Sequence, residues 1–133
     1  MSRDHRKLKV FQLADALAVE VYRATGGFPQ EERFALQSQM RRGAVSAAAN
    51  IVEGSARRST AEYVNFLNVA LGSAAEVDYL IGSALELGFL DVKTAGKLRE
   101  RTPHLIPGLK GLIHALEVDE PSKSQKPKAK SPA

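Results

Sequence analysis

From Lys7 to about Ala24 apolar residues recur at intervals of three and four, Val10, Phe11, Ala14, Leu17, Ala18, Val21 and Tyr22, before Gly26-Gly27 interrupts the pattern. This spacing predicts an amphipathic helix. A second pattern opens at "FPQEERF", where Pro29 suits a first helical turn, Glu31 and Glu32 suit its positive dipole end, and Phe28 can fold back as a staple. It runs through Met40, Ala44, Val45, Ala48, Ile51 and Val52 to Gly54, which is expected to stop the helix.

The third pattern has the clearest start. Ser59 followed three residues later by Glu62 forms a capping box, and no breaker stronger than glycine occurs before Gly88, so a helix of nearly thirty residues is predicted. Its apolar positions do not keep to one stripe, so more than one face needs covering. It also repeats Gly-Ser-Ala at Gly72 and Gly82. Either another backbone approaches there, or small residues are simply tolerated on a crowded helix. A fourth pattern begins at Asp91, a good N-cap, and continues through Leu98, Leu105, Leu109 and Leu116, with Pro103 and Pro107 expected to kink or break it.

Strand alternation and tight hairpin turns are absent. Four helical segments with short connections predict an all-α, antiparallel up-down four-helix bundle over residues 1–118. Centring the second turn between Gly54 and Ser59 would set Asn50 opposite Tyr63, Ser46 opposite Leu67 and Arg41 opposite Gly72.

Composition narrows the setting. The 133 residues suit one domain, and 44% are hydrophobic, enough for a core. No cysteine is present, which excludes disulfides and thiolate metal sites and favours a cytoplasmic setting. The first residues are too charged for a signal peptide, and no apolar run approaches a membrane span, so no membrane partner is expected. Residues 119–133, "DEPSKSQKPKAKSPA", have three prolines, four lysines and no large apolar residue; they predict a disordered basic tail, either a solubilising extension or a phosphate-seeking arm.

The formal net charge of +4 is unevenly spread. Residues 1–58 hold ten Lys/Arg against six Asp/Glu, residues 59–92 hold no Lys/Arg and five Asp/Glu, and residues 93–133 hold nine against four. An acidic middle between basic flanks concentrates positive charge on particular surfaces. Two arginine pairs stand out: Arg41 and Arg42 inside the second helix, and Arg57 and Arg58 in the turn after it. A guanidinium fork suits phosphate, so these four, with Lys123, Lys126, Lys128 and Lys130 of the tail, are the candidate nucleic-acid contacts. Alternatively, Arg42 could form bundle salt bridges with Glu53, Glu62 or Glu76. Aromatic residues make up only 6%, too few for base-by-base reading of a single strand.

Enzyme motifs are missing: there is no cysteine nucleophile, HExxH, phosphate-binding Gly-rich loop, GxSxG elbow or Glu-x-x-His pair. His5, His104 and His114 lack metal-ligand spacing, and neither a metal nor a cofactor is implied. One pattern keeps a catalytic alternative open. Arg99 to His104, "RERTPH", is similar to the Arg-x4-His motif of the all-helical HEPN ribonucleases, which would make the histidine a general acid/base on RNA. The expectation remains a non-enzymatic protein.

The stretch "QMRRGAVSAAANIVEGSARRSTAEYVNFLNVALGSAAEVDYLIGSALELGFL" resembles the signature of the four-helix-bundle family encoded by intervening sequences in bacterial large-subunit ribosomal RNA genes, also described as ribosomal-protein-like. The resemblance begins at "LKVFQLADALAVEVYRATGGFP" and reaches about Leu116; its most specific pieces are Arg42, Ser46, Asn50, Glu53, Gly54, Glu62, Phe66, Leu67, Ala70, Gly72, Ser73 and Glu76. It implies a homo-oligomeric bundle, a pentamer, like the similar accessory variability proteins of retroelements, which bind nucleic acid and a reverse transcriptase. RNA, DNA or a protein partner are thereby the expected ligands. Ser46, Asn50, Glu53, Gly54, Glu62, Ser73 and Glu76 form a structural polar motif in this reading, with Asn50 and Glu53 expected to satisfy turn and N-terminal backbone groups of the third helix.

Overall fold

The computed structural model describes residues 3–119, and these form four antiparallel rods. The first three are α1 (Lys9–Thr25), α2 (Leu36–Ser55) and α3 (Thr60–Glu86); the fourth is divided into α4 (Val92–Leu98) and α5 (Thr102–Val118). Among the described residues there is no strand. α2 packs against α1 on one side and α3 on the other, and α5 closes the square between α3 and α1, so that α1 and α3 occupy opposite corners. The basic tail expected for residues 119–133, with Lys123, Lys126, Lys128 and Lys130, lies outside the described residues from position 120 on.

The helical stripes meet as the sequence pattern predicts except at Tyr22 and Val45, which stay 47% and 43% exposed. Leu17 and Val21 of α1, Met40 and Ile51 of α2, Leu67, Val77 and Ile81 of α3, and Leu105 and Leu109 of α5 are fully buried in one core. Burying a Leu or Ile side chain contributes about 1.5–3 kcal/mol against leaving it exposed, so this seam holds the rods together. α3 is about 40 Å long by helical rise, and the Ser59 hydroxyl accepts the Glu62 amide at its start.

Three local expectations need correcting. α2 begins at Leu36 rather than at Pro29: residues Gln30–Glu32 form a separate 3-10 turn, and the Glu32 carboxylate takes the Leu36 amide that a continuous helix would give to the Glu32 carbonyl. Phe28 is nevertheless buried; its ring meets Phe89 of the α3–α4 connection with centroids 5.6 Å apart. Gly54 does not end α2, which runs on to Ser55; a Cβ at Gly54 would come within 2.9 Å of Phe66 and 3.0 Å of Tyr63, so this glycine is where α3 crosses α2 closely.

The third correction concerns the fourth rod. Its break falls at residues 99–101, upstream of Pro103, because a proline missing its amide is tolerated in a first helical turn and α5 restarts around it. Pro107 sits inside α5 without ending it. The break is tied to both neighbouring rods. Thr102 Oγ1 donates to Asp78 Oδ1 of α3 at 2.8 Å, and Arg101 makes two bonds to the Glu20 carboxylate of α1, at 2.7 and 3.3 Å.

Candidate nucleic-acid interface

An even number of rods brings the start of α1, the end of α2, the start of α3 and the end of α5 to one pole. The residues before α1 form a 3-10 turn, His5–Lys7, that packs on α1 and α2 there. Arg3 binds this turn to the α2–α3 connection: its Nη1 donates to the Arg57 carbonyl at 2.6 Å, its Nη2 to Thr60 Oγ1 at 3.1 Å, and its guanidinium lies 4.9 Å from the Tyr63 ring centre. Arg57 pairs with Glu53 one turn earlier and lies over the Phe66 ring at 4.9 Å. Arg58 is exposed and, among the described residues, has no hydrogen-bond or ion-pair partner.

Arg6 and Lys7 extend the cationic surface. Arg6 forks onto the half-buried Asp4 carboxylate and, through that hydrogen bond, lowers the Asp4 pKa to about 2. Arg3, Arg6, Lys7, Lys9, Arg57 and Arg58 therefore gather at this pole with Asp4, Glu53 and Glu62, and α5 ends there with Glu117 and Asp119. Arg3, Arg6 and Lys7 escaped the sequence reading. Their signal was the opening run "RDHRKLK", weighed there only against a signal peptide.

The four arginines expected to act together do not. Arg41 lies sixteen residues before Arg57 on α2, about 24 Å away by helical rise. It caps α1 instead: Nε donates to Thr25 Oγ1 at 2.8 Å, Nη2 donates to the Tyr22 carbonyl at 3.0 Å, and the guanidinium lies over the Tyr22 ring at 4.5 Å. Gln37 completes the cap by donating to the Thr25 carbonyl at 2.6 Å. The end carbonyls of a helix need such donors, and α2 supplies them. Arg42 is exposed and makes none of the salt bridges weighed for it; it lines a shallow groove of about 320 Å³ with Gln39, Ser46, Ser73 and Glu76.

The polar motif serves the α2–α3 seam rather than the turn. Ser46 Oγ lies 2.9 Å from Ser73 Oγ, and Asn50 Nδ2 donates back to both the carbonyl and the hydroxyl of Ser46 at 2.8 and 3.0 Å. Glu53 is taken by Arg57, so neither Asn50 nor Glu53 reaches the first amides of α3 as expected. Ser46 also faces Ser73 rather than Leu67, a displacement of six residues along α3. Glu62 is exposed, its amide held by Ser59. Arg99 donates to the Asp78 carbonyl at 3.0 Å and lines a cleft with Tyr79, Gly82 and Glu86; the exposed His104 does not line that cleft.

Chemically, the pole offers guanidinium and ammonium donors without a stacking platform. Tyr63 is buried, with its phenol pKa pushed up by burial, and Arg57 covers Phe66. Among the described residues no His, Asp and Glu side chains gather as a metal-binding group, and no helix is long and apolar enough to cross a membrane.

The fold defines a class: a small all-α protein built as a four-rod up-down bundle. The chain belongs to the 23S rRNA-intervening sequence protein family, whose family model matches residues 6–111. Its fold is similar to that of a protein of unknown function from the S23 ribosomal protein family of Bacteroides thetaiotaomicron, with a TM-score of 0.72 and 23% identity over 79% of this chain and 95% of the other. No curated protein matches the chain.

Proposed function

We propose that this protein is a non-catalytic, homo-oligomeric nucleic-acid-binding bundle that holds RNA or DNA by its phosphates, with weak sequence specificity. The supporting observation is the convergence at one pole of Arg58, which has no partner among the described residues, with Arg3, Arg6, Lys7 and Arg57. Donors of this kind, without open aromatic faces, fit a repeating anionic backbone better than individual bases. Oligomerisation multiplies the patch by the number of chains, and so raises its effective charge well above that of one copy. A cytoplasmic setting follows the same reading.

Band retardation of unrelated RNA and DNA sequences tests this directly. Wild-type protein is expected to retard both, with affinity falling steeply with salt, and Arg58→Ala is expected to reduce the slope of log Kobs against log salt by about one per chain in contact. No retardation even at low salt would overturn the reading in favour of a protein-partner adaptor. That alternative has its own support in Phe34, 89% exposed at the opposite pole. Cleavage of the RNA, abolished by His104→Ala, would instead establish the ribonuclease alternative.

A further inference from the structure

At the pole opposite Arg58, the α1–α2 connection and the first turns of α2 frame a cleft of about 450 Å³, a size common among small-molecule sites. Phe28 and Pro29 give it an apolar wall, and Gln30, Arg33, Gln37 and Arg41 supply polar groups. Arg41 is fixed through Nε to the buried Thr25 hydroxyl, through Nη2 to the Tyr22 carbonyl, and over the Tyr22 ring, which leaves Nη1 without a partner among the described residues. The exposed Arg33 side chain makes no hydrogen bond or ion pair among them. Glu31 and Glu32 belong to the same connection, but neither lines the cleft, and the Glu32 carboxylate accepts the Leu36 amide. Two guanidinium charges therefore border this space with no carboxylate between them.

Charge, size and a neighbouring ring select the ligand. Two guanidinium forks, one of them already oriented, suit a phosphate monoester, which offers more acceptor oxygens and more charge than a carboxylate. The cleft has room for more than the phosphate. Gln37 spends its amide nitrogen on the Thr25 carbonyl at 2.6 Å and keeps its oxygen for a hydroxyl or amine. Phe34 is exposed beside Arg33, its ring centre 6.0 Å from that guanidinium carbon, and presents a face on which a base can stack.

We infer that this cleft binds a nucleoside monophosphate unit, with its phosphate between Arg33 and Arg41 and its base on Phe34, either as a free nucleotide or as the phosphorylated end of a strand. Arg41 is about 24 Å from Arg57 by helical rise, so the site is separate from the cationic pole and does not depend on the proposed function.

Titration of the full chain with adenosine 5′-monophosphate, followed by calorimetry and amide NMR shifts, tests the inference. Saturable binding is expected to shift Gly26, Gln30, Arg33 and Gln37, and adenosine, which lacks the phosphate, is expected to bind at least about tenfold more weakly. Arg33→Gln removes a guanidinium the fold does not use, and is expected to weaken the nucleotide by about tenfold with an unchanged melting temperature. Phe34→Ala is expected to weaken the nucleotide but not inorganic phosphate, and Arg58→Ala neither. In an Arg58→Ala background, a 5′-phosphorylated oligonucleotide that binds more tightly than its 5′-hydroxyl counterpart, a preference lost with Arg33→Gln, assigns the strand end; equal binding of the two strands, with the mononucleotide still held, assigns the free nucleotide. No saturable nucleotide binding at millimolar concentration, or wild-type affinity in Arg33→Gln, would overturn the inference. Succinate binding as tightly as the nucleotide would also overturn it, and would assign the cleft to a carboxylate ligand.

Discussion

Ser46 and Ser73 meet hydroxyl to hydroxyl across the α2–α3 seam, 2.9 Å apart, and Asn50 secures Ser46 from one turn below. The pair marks the register of the two helices. Removing either hydroxyl from this half-buried contact is expected to cost about 0.5–1.5 kcal/mol, and the double variant Ser46→Ala/Ser73→Ala less than the sum of the singles. Urea unfolding of the four proteins in the cycle measures the coupling; additive losses would mean that the hydroxyls do not act as a pair.

Gly54 and Gly72 lead to opposite expectations. Gly54→Ala drives a methyl group into Phe66, Tyr63 and the Tyr63 carbonyl, and is expected to destabilise the bundle by about 1–3 kcal/mol. Gly72→Ala meets open space in mid-helix, and should stabilise the chain by about 0.5–1 kcal/mol. Thermal melts at a concentration where the oligomeric state is known compare them.

Arg41 and Arg58 separate in the same way. Arg41→Ala removes two bonds and a ring contact from the end of α1, with an expected loss of about 1–2 kcal/mol, whereas Arg58→Ala should leave stability within about 0.5 kcal/mol of wild type. Denaturant midpoints decide between them. An Arg58→Ala variant that unfolds early would show that this side chain supports the fold.

The Tyr63 hydroxyl is buried and has no hydrogen-bond partner among the described residues. Burial raises its pKa, so the neutral phenol is the form the fold prefers: this contribution to stability is complete below the ordinary value of 10.0 and is lost as pH rises through the folded-state pKa above it. Tyr63→Phe is expected to remove this alkaline loss and to raise stability at neutral pH by up to about 1 kcal/mol. Unfolding midpoints of both proteins from pH 7 to about 11 measure it.

At the acid end Asp4 has the opposite sign. Its pKa is lowered from 3.8 to about 2, so its support for the N-terminal turn is present above the ordinary value and is lost as pH falls toward the lowered one. An NMR titration of the Asp4 carboxyl should find a midpoint near 2 in wild type and a return toward 3.8 in Arg6→Ala.

Much of the fold was legible because local chemistry and helical period agreed. Ser59 and Asp91 cap helices where their side chains suggested, and Gly26-Gly27 follows the end of α1. The register of α2 on α3 was not legible, because it depends on a close crossing at Gly54 that a turn-centred count cannot anticipate. The candidate site was legible only in part. Residue type points to arginine as the donor a phosphate would call for, but which arginines are available depends on tertiary partners: the Tyr22 and Thr25 oxygens that occupy Arg41, and the Glu53 carboxylate that occupies Arg57, are visible only once the rods are assembled.

The four-rod path also has a practical consequence for anyone handling the protein. Residues 3 and 119 lie at the same pole as Arg58, so a purification tag or fluorescent fusion joined directly at either of these two positions would crowd the surface proposed to hold nucleic acid. The exposed Gly26-Gly27 connection lies at the far pole, with open space around Gly27, and an epitope inserted there would leave the cationic end unobstructed.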